Sequence, residues 1–258
     1  MNSPGSPPPE FITTSQGRRL AYHRLPGKSP GVLFCGGFMS DMSGTKAQAL
    51  ESFCRHHGRA FVRFDYSGHG QSGGQFSEGT IGSWREDALE VFDQLTDGPQ
   101  VIVGSSMGGW ISLLLAMARP ERVQALLLLA PAPDFTREIY TEELNDDDRA
   151  ALEQQGFVLR PTEYGDEPYT ITKKLISDGE QYLLLEKDQI PVICPVEIIH
   201  GMEDSDVHWQ RSLPLVEKLQ GDQVTLHYIK RGDHRLSEAD DLKRICLLVE
   251  QLWHPYPN

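Results

Sequence analysis

Cysteine is scarce in this chain, and the four that occur, Cys35, Cys54, Cys194 and Cys246, form no CxxC and no paired spacing. That pattern argues against a disulfide framework or a cysteine metal site and fits a reducing compartment. Positive charge is also short: 24 Lys and Arg stand against 37 Asp and Glu, a net of -13. A nucleic-acid partner needs a basic face, and electrostatic docking on an anionic membrane needs the same. Neither is expected. Long apolar runs are missing too. "VQALLLLAPA" and "WISLLLAMA" are far too short to span a bilayer, so no integral membrane segment is expected. The opening "MNSPGSPPPE" is neither an apolar signal nor an Arg-rich amphipathic segment, and reads as a disordered Pro-rich leader or as residues left by cloning, over 1–10.

What the chain does contain is an ordinary globular composition, 39% hydrophobic over 258 residues, enough to bury a full core. "RRLAYHR", "GVLFCGG", "AFVRFDYSGHG", "QVIVGSS", "VQALLLLA", "VICPVEIIHG" and "QVTLHYIKRG" read as short strands, most of them ending in small residues. Helices fall between them. Ser83 with Glu86 looks like a capping box, and Trp84, Ala88, Phe92 and Leu95 then lie on one helical face, predicting a helix over 83–95. A buried helix is expected over 107–118. The last helix, with Ser237 as its cap, would present Leu242, Ile245, Cys246, Val249, Leu252 and Trp253. Alternating strands and helices imply an α/β fold: a mostly parallel sheet with helices on both faces. Residues 134–190 break the rhythm. They hold 15 acidic and 6 basic residues and weak periodicity, the character of a cap inserted between core strands. The expected organisation is core over 11–133, cap over 134–190 and core again over 191–258.

"VGSSMGGW" sits where a strand ends and a helix begins, the edge of an α/β sheet where ligands bind. Gly104, Ser106 and Gly108 satisfy the nucleophile-elbow pattern G-x-S-x-G; Ser105 would need small residues at 103 and 107, where Val103 and Met107 stand. Ser106 is therefore the expected nucleophile. A serine hydroxyl needs a base, and the base an orienting carboxylate, which follow in the order Ser, acid, His in this fold class. "HGMEDSDVHW" places Asp204 beyond one strand, with Asp206 as a competitor, and "IKRGDHRLSEAD" places His234 after the final strand. His200 is expected to hold loop backbone instead. The oxyanion hole requires two backbone N–H donors, expected at Met107 and at Phe38, beside Gly36 and Gly37.

Taken together, "CGGFMSD", "FDYSGHGQS", "VGSSMGGW", "HGMEDSDV" and "RGDH" resemble the serine hydrolases of the α/β-hydrolase superfamily, from about Phe11 to Trp253. Within it, the whole chain resembles a mitochondrial branch known as acyl-glucuronide esterases and S-depalmitoylating thioesterases. The resemblance implies the α/β-hydrolase fold, Ser106, Asp204 and His234 as triad, and a mitochondrial address that no visible residue displays. One departure is Cys35-Gly36-Gly37, where the family usually has His-Gly before the oxyanion loop; Cys35 is expected as a buried strand residue.

The expected reaction is acyl transfer to Ser106 and then to water, with no metal or organic cofactor required. The expected substrates are activated esters or thioesters, the resemblance implying S-acylated proteins among them, and a monomer is the default expectation. Phe135, Ile139, Tyr140, Phe157, Tyr169 and Leu175 of the cap would line the acyl pocket or pack cap on core. A glucuronide carboxylate would need an arginine in that acidic region, and Arg137, Arg149 and Arg160 are the candidates. A peptidase or an acyltransferase of the same fold is the alternative, and a non-catalytic binding module the minor one. Asp at the elbow, as a haloalkane- or epoxide-type hydrolase requires, is excluded by Ser106.

Overall fold

The computed structural model describes residues 7–161 and 168–254. Of the expected leader, residues 1–6 lie outside the described residues, while Glu10 already belongs to a strand. Strand β1 (Glu10–Thr13) pairs antiparallel with β2 (Arg19–Leu25), bringing Glu10 opposite Tyr22, so the leader boundary moves back by at least one residue. The remaining chain alternates as expected: β3 (Lys28–Cys35), α1 (Thr45–His56), β4 (Arg59–Phe64), α2 (Ile81–Leu95), β5 (Gln100–Ser105), α3 (Met107–Ala118) and β6 (Val123–Leu129).

An excursion follows, holding α4 (Phe135–Glu138), a π-helical turn at Ile139–Glu143, α5 (Asp146–Gln155), the antiparallel pair β7 (Phe157–Arg160) and β8 (Tyr169–Thr172), and α6 (Lys173–Gly179). The core resumes with β9 (Val196–Gly201), α7 (Ser212–Lys218), β10 (Val224–Ile229) and α8 (Ala239–Leu252). The main sheet has eight strands in the order β1-β2-β4-β3-β5-β6-β9-β10, and every pairing from β4 to β10 is parallel.

The period-2 direction of strand side chains splits the core into two layers. Leu33, Cys35, Ile102, Leu126 and Leu128 point to one face and pack with Trp84, Ala88, Phe92 and Trp110 of α2 and α3. Val32, Phe34, Val101, Val103, Leu127 and Leu129 point to the other, under Ala47 and Leu50 of α1 and Ile245, Val249 and Leu252 of α8. Both faces being covered, the central strands are apolar throughout, which is why their sequences run without polar alternation. The excursion has a small cluster of its own, Leu144, Leu152, Val158, Ile171 and Ile176.

Two helix starts differ from the sequence reading. Thr80, not Ser83, is the N-cap of α2: its hydroxyl accepts from the Ser83 N–H at 3.1 Å, and the Ser83 hydroxyl accepts from the Thr80 N–H at 2.8 Å. Ser83 thus fills the third helical position of the box, and Glu86 instead pairs with Arg18 at 3.1 Å. Likewise Glu238 precedes α8 without a side-chain cap, because the Ser237 hydroxyl is donated back to the Arg235 carbonyl at 2.9 Å. Among the described residues no helix is long and apolar enough to cross a membrane.

Candidate active site

Ser106 lies between the end of β5 and the first residue of α3, with φ 55° and ψ -120°. A non-glycine residue is strained there, and surrounding bonds have to hold it. The Ser106 N–H donates to the Leu129 carbonyl at 2.9 Å, and its carbonyl accepts from Gly109 at 2.8 Å and Ala132 at 3.1 Å. The glycines of the pattern now have a reason. A Cβ at Gly108 would run into the carbonyl oxygens of Cys35 and Gly36, and one at Gly104 into the Gly108 carbonyl and the Ser112 hydroxyl. The elbow is tight because α3 presses directly on the ends of β3 and β5.

His234 comes from the loop after β10 and Asp204 from the loop after β9, parallel neighbours whose carboxyl ends share one sheet edge. His234 Nε2 is 3.1 Å from Ser106 Oγ, and His234 Nδ1 is 2.8 Å from Asp204 Oδ2. The other carboxylate oxygen, Oδ1, accepts the N–H groups of Asp206 at 2.9 Å and Val207 at 2.8 Å. Asp206, the competing acid in the sequence, contributes its main-chain N–H to Asp204. Burial alone would raise the Asp204 carboxyl, but the hydrogen bonds from His200 and His234 outweigh it and hold the group well below the usual carboxylate range. Asp204 is thus kept ionised, as a partner for an imidazolium must be.

His200 is completely buried and does more than hold backbone. Its Nε2 lies 3.1 Å from Asp204 Oδ2 and 3.0 Å from the Val207 carbonyl, two acceptors, so this nitrogen carries the proton. Its Nδ1 then accepts from the Ser212 hydroxyl at 2.7 Å. Sequence reasoning gave His200 only a backbone role; the spacing H-x-x-x-D across a strand end was the signal that it could also reach the carboxylate. The His234 loop is further tied to α1 by Lys46, whose ammonium donates to the Arg235 carbonyl.

Met107, the first residue of α3, has an N–H with no acceptor inside the helix, as at any helix start. Phe38 follows Gly37, where an added Cβ would stand 3.4 Å from Ser106 Cβ, so this loop borders the serine. The Phe38 ring packs edge-on against Phe76 and Trp84 of the core and against Phe135 and Tyr169 of the excursion. Cys35 is fully buried, and burial pushes its thiol up to about 11, which leaves no thiolate near neutrality.

The excursion is tied to the core at its root. Asp134, at φ 62°, accepts the N–H groups of Leu184 and Leu185 at 2.8 and 2.7 Å, clasping its start to its end. Trp110 donates to the Tyr182 carbonyl at 3.1 Å, and Asp178 accepts the Gly82 N–H at 2.7 Å. Of the residues expected to line a pocket, Leu175 is buried in the main core and Phe135 packs on Trp110. Ile139, Tyr140 and Tyr169 pack on the excursion's own cluster, and Phe157 is 40% exposed. The three candidate arginines all have partners. Arg137 is paired with Glu180 and Glu186; Arg149 donates to the Tyr140 and Thr141 carbonyls at 3.1 and 3.2 Å; and Arg160 meets Glu143 at 2.8 Å.

A mostly parallel sheet of this order, with a strained serine at a strand–helix elbow and an aspartate and a histidine on the loops after its last two strands, defines the α/β-hydrolase class. The family model described as "Serine aminopeptidase, S33" matches residues 30–156. The mitochondrial palmitoyl-protein thioesterase ABHD10 of mouse is 42% identical over 243 residues, covering 94% of this chain and 81% of the relative; its human counterpart is 41% identical over the same length. Among solved structures, mouse α/β hydrolase domain-containing protein 10 superposes with a TM-score of 0.88 at 41% identity, covering 95% of this chain and 97% of that one. A putative hydrolase from Agrobacterium vitis S4 superposes with a TM-score of 0.91 at 39% identity, covering 95% and 98%. The chain belongs to the ABHD10 family of α/β-hydrolases and is a hydrolase.

Proposed function

We propose that this protein is a serine thioesterase and esterase that removes acyl groups from S-acylated cysteine, with Ser106, His234 and Asp204 as its catalytic triad. The observation that carries this reading is the unbroken relay from Ser106 Oγ to His234 Nε2 at 3.1 Å and from His234 Nδ1 to Asp204 at 2.8 Å. Ser106 Oγ attacks the acyl carbonyl while its proton passes to His234 Nε2. The oxyanion is held by the Phe38 and Met107 N–H groups. The thiolate leaves with the proton from His234, and water, deprotonated by the same nitrogen, releases the acid and restores Ser106. The residues at 134–190 act as a cap over this edge. The mitochondrial thioesterases among its relatives support both the thioester substrate and a mitochondrial address.

An acyl glucuronide ranks second. Its carboxylate would have to displace Glu180 and Glu186 from Arg137, or Glu143 from Arg160, within an acidic excursion.

The test is kcat/KM for a long-chain S-acyl cysteine peptide and an acyl glucuronide, with wild type, Ser105→Ala and Ser106→Ala. The expected result is a larger value for the thioester, a loss of about 10³-fold or more in Ser106→Ala, and near-normal turnover in Ser105→Ala. Full activity in Ser106→Ala would refute the triad. Cleavage of a peptide amide in preference to either substrate would favour the peptidase alternative.

A further inference from the structure

The loop that borders Ser106 is held in an unfavourable shape, and one buried side chain outside the triad meets it. Met39, next to Phe38, has φ 53°, a left-handed conformation that a side chain such as methionine rarely adopts. Two bonds close the turn from below: the Ser40 N–H and hydroxyl both donate to the Gly37 carbonyl, at 3.3 and 2.8 Å. The third comes from a distant part of the chain. The Met39 N–H donates to His69 Nε2 at 3.2 Å.

Nε2 of His69 can accept that proton only if Nδ1 carries the ring's own. The surroundings impose this tautomer. His69 Nδ1 is 3.3 Å from the Ser67 carbonyl, which can only accept. Ser67 is in turn fixed by Asp87, whose carboxylate takes the Ser67 N–H at 2.8 Å and hydroxyl at 2.6 Å and is completed by Arg18 at 2.7 Å. The His69 ring is 4% exposed and wedged edge-on between Phe76 and Trp84, each with its centroid 5.1 Å away. Those two rings also hold Phe38.

We infer that His69 is a positioning residue for the oxyanion hole: as a neutral acceptor for the Met39 N–H it fixes the loop so that the preceding N–H, that of Phe38, stays free and aimed at the reacting carbonyl. This rests on the reading of Ser106 and Phe38 given above. Without the acceptor, the bond that opposes relaxation of Met39 out of its left-handed conformation is lost, and the peptide between Phe38 and Met39 turns with it. A displacement of about 1 Å at a donor lowers turnover on the order of 10²-fold, comparable to deleting it.

The experiment uses His69→Phe, which keeps a ring in the aromatic cage and removes the acceptor, and His69→Gln, whose amide oxygen can replace it. With an activated p-nitrophenyl ester, His69→Phe should lose about 10- to 100-fold in kcat with KM within about twofold of wild type. Affinity for a trifluoromethyl ketone, which forms a tetrahedral adduct with the serine, should fall by a similar factor, and His69→Gln should recover most of both. Wild-type turnover by His69→Phe, or equal impairment of the Phe and Gln variants, overturns the assignment. A second measurement does not depend on a variant folding. The ¹⁵N shifts of wild-type His69 at neutral pH should report Nδ1–H with an accepting Nε2, and the opposite tautomer or an imidazolium overturns the proposal. Ser106→Ala run alongside separates the two failures. If that variant is active, the triad is wrong; if it is dead while His69→Phe is normal, only the role of His69 falls.

Discussion

His200 Nε2 stands 3.1 Å from Asp204 Oδ2, the same oxygen that His234 Nδ1 approaches to 2.8 Å. One carboxylate oxygen therefore serves two imidazoles, one facing the serine and one wholly buried. The buried ring is anchored at its far side by Ser212, so it fixes the carboxylate on behalf of the one that faces the serine. Replacing it with phenylalanine keeps the ring's volume but strands the Ser212 hydroxyl and takes a donor from Asp204. We expect His200→Phe to lose about 1–3 kcal/mol of stability and to lower kcat more than it raises KM. Denaturant midpoints and steady-state kinetics check this, and a variant as stable and as fast as wild type would show His200 to be a bystander.

Gly108 is the point where α3 meets the end of β3. Its missing Cβ would overlap two backbone oxygens, those of Cys35 and Gly36, and backbone cannot swing aside as a side chain can. Gly108→Ala should cost about 1–3 kcal/mol or more through overpacking and should displace the loop that carries Phe38. The expected readout is a melting temperature several degrees lower together with near-complete loss of esterase activity. If activity survives at normal stability, the elbow is looser than these contacts require.

His69 makes stability depend on pH. Burial among aromatic rings, opposed only weakly by the Ser67 carbonyl, lowers it to about 4. In the unfolded chain the same imidazole titrates near 6.5. Above that value it is neutral in both states and its contribution is fully present. As pH falls below about 6.5 the unfolded state takes up a proton that the native state refuses, so stability drops continuously until about pH 4. The whole effect is roughly 3 kcal/mol. Urea midpoints measured from pH 7 to pH 4 should fall more steeply for wild type than for His69→Gln, which has no such proton to take up. Parallel slopes would place the acid sensitivity elsewhere.

Much of this molecule is legible in its sequence. Strand ends at small residues, the order Ser, Asp, His, and the elbow glycines are local or ordered features, and local sterics leave few alternatives for G-x-S-x-G between a strand and a helix. The expectation of Ser106 rather than Ser105 as nucleophile rests on the size of Val103 and Met107 as neighbours. The misassigned caps at Ser83 and Ser237 show the limit of such reasoning. Several hydroxyls near a helix start can each form a box, and one residue of backbone geometry decides among them.

What only the folded chain decided are the relationships between loops distant in sequence. Asp204 and Asp206 are chemically the same and two residues apart; the path of the loop after β9 turns one side chain toward His234 and the backbone N–H of the other toward its neighbour. His200 was expected to hold loop backbone, and although H-x-x-x-D puts Asp204 within reach across a strand end, only the folded loop makes the contact; His69 meets the N–H of Met39, thirty residues away, with no comparable spacing to announce it. The arginines of the excursion were singled out by charge alone, yet each found a carboxylate or a carbonyl within the excursion itself. Composition and order along a chain specify which groups exist and which elements carry them. Hydrogen bonds act over about 3 Å and depend on direction, so which groups meet is settled only when tertiary packing brings loop ends to one edge of the sheet.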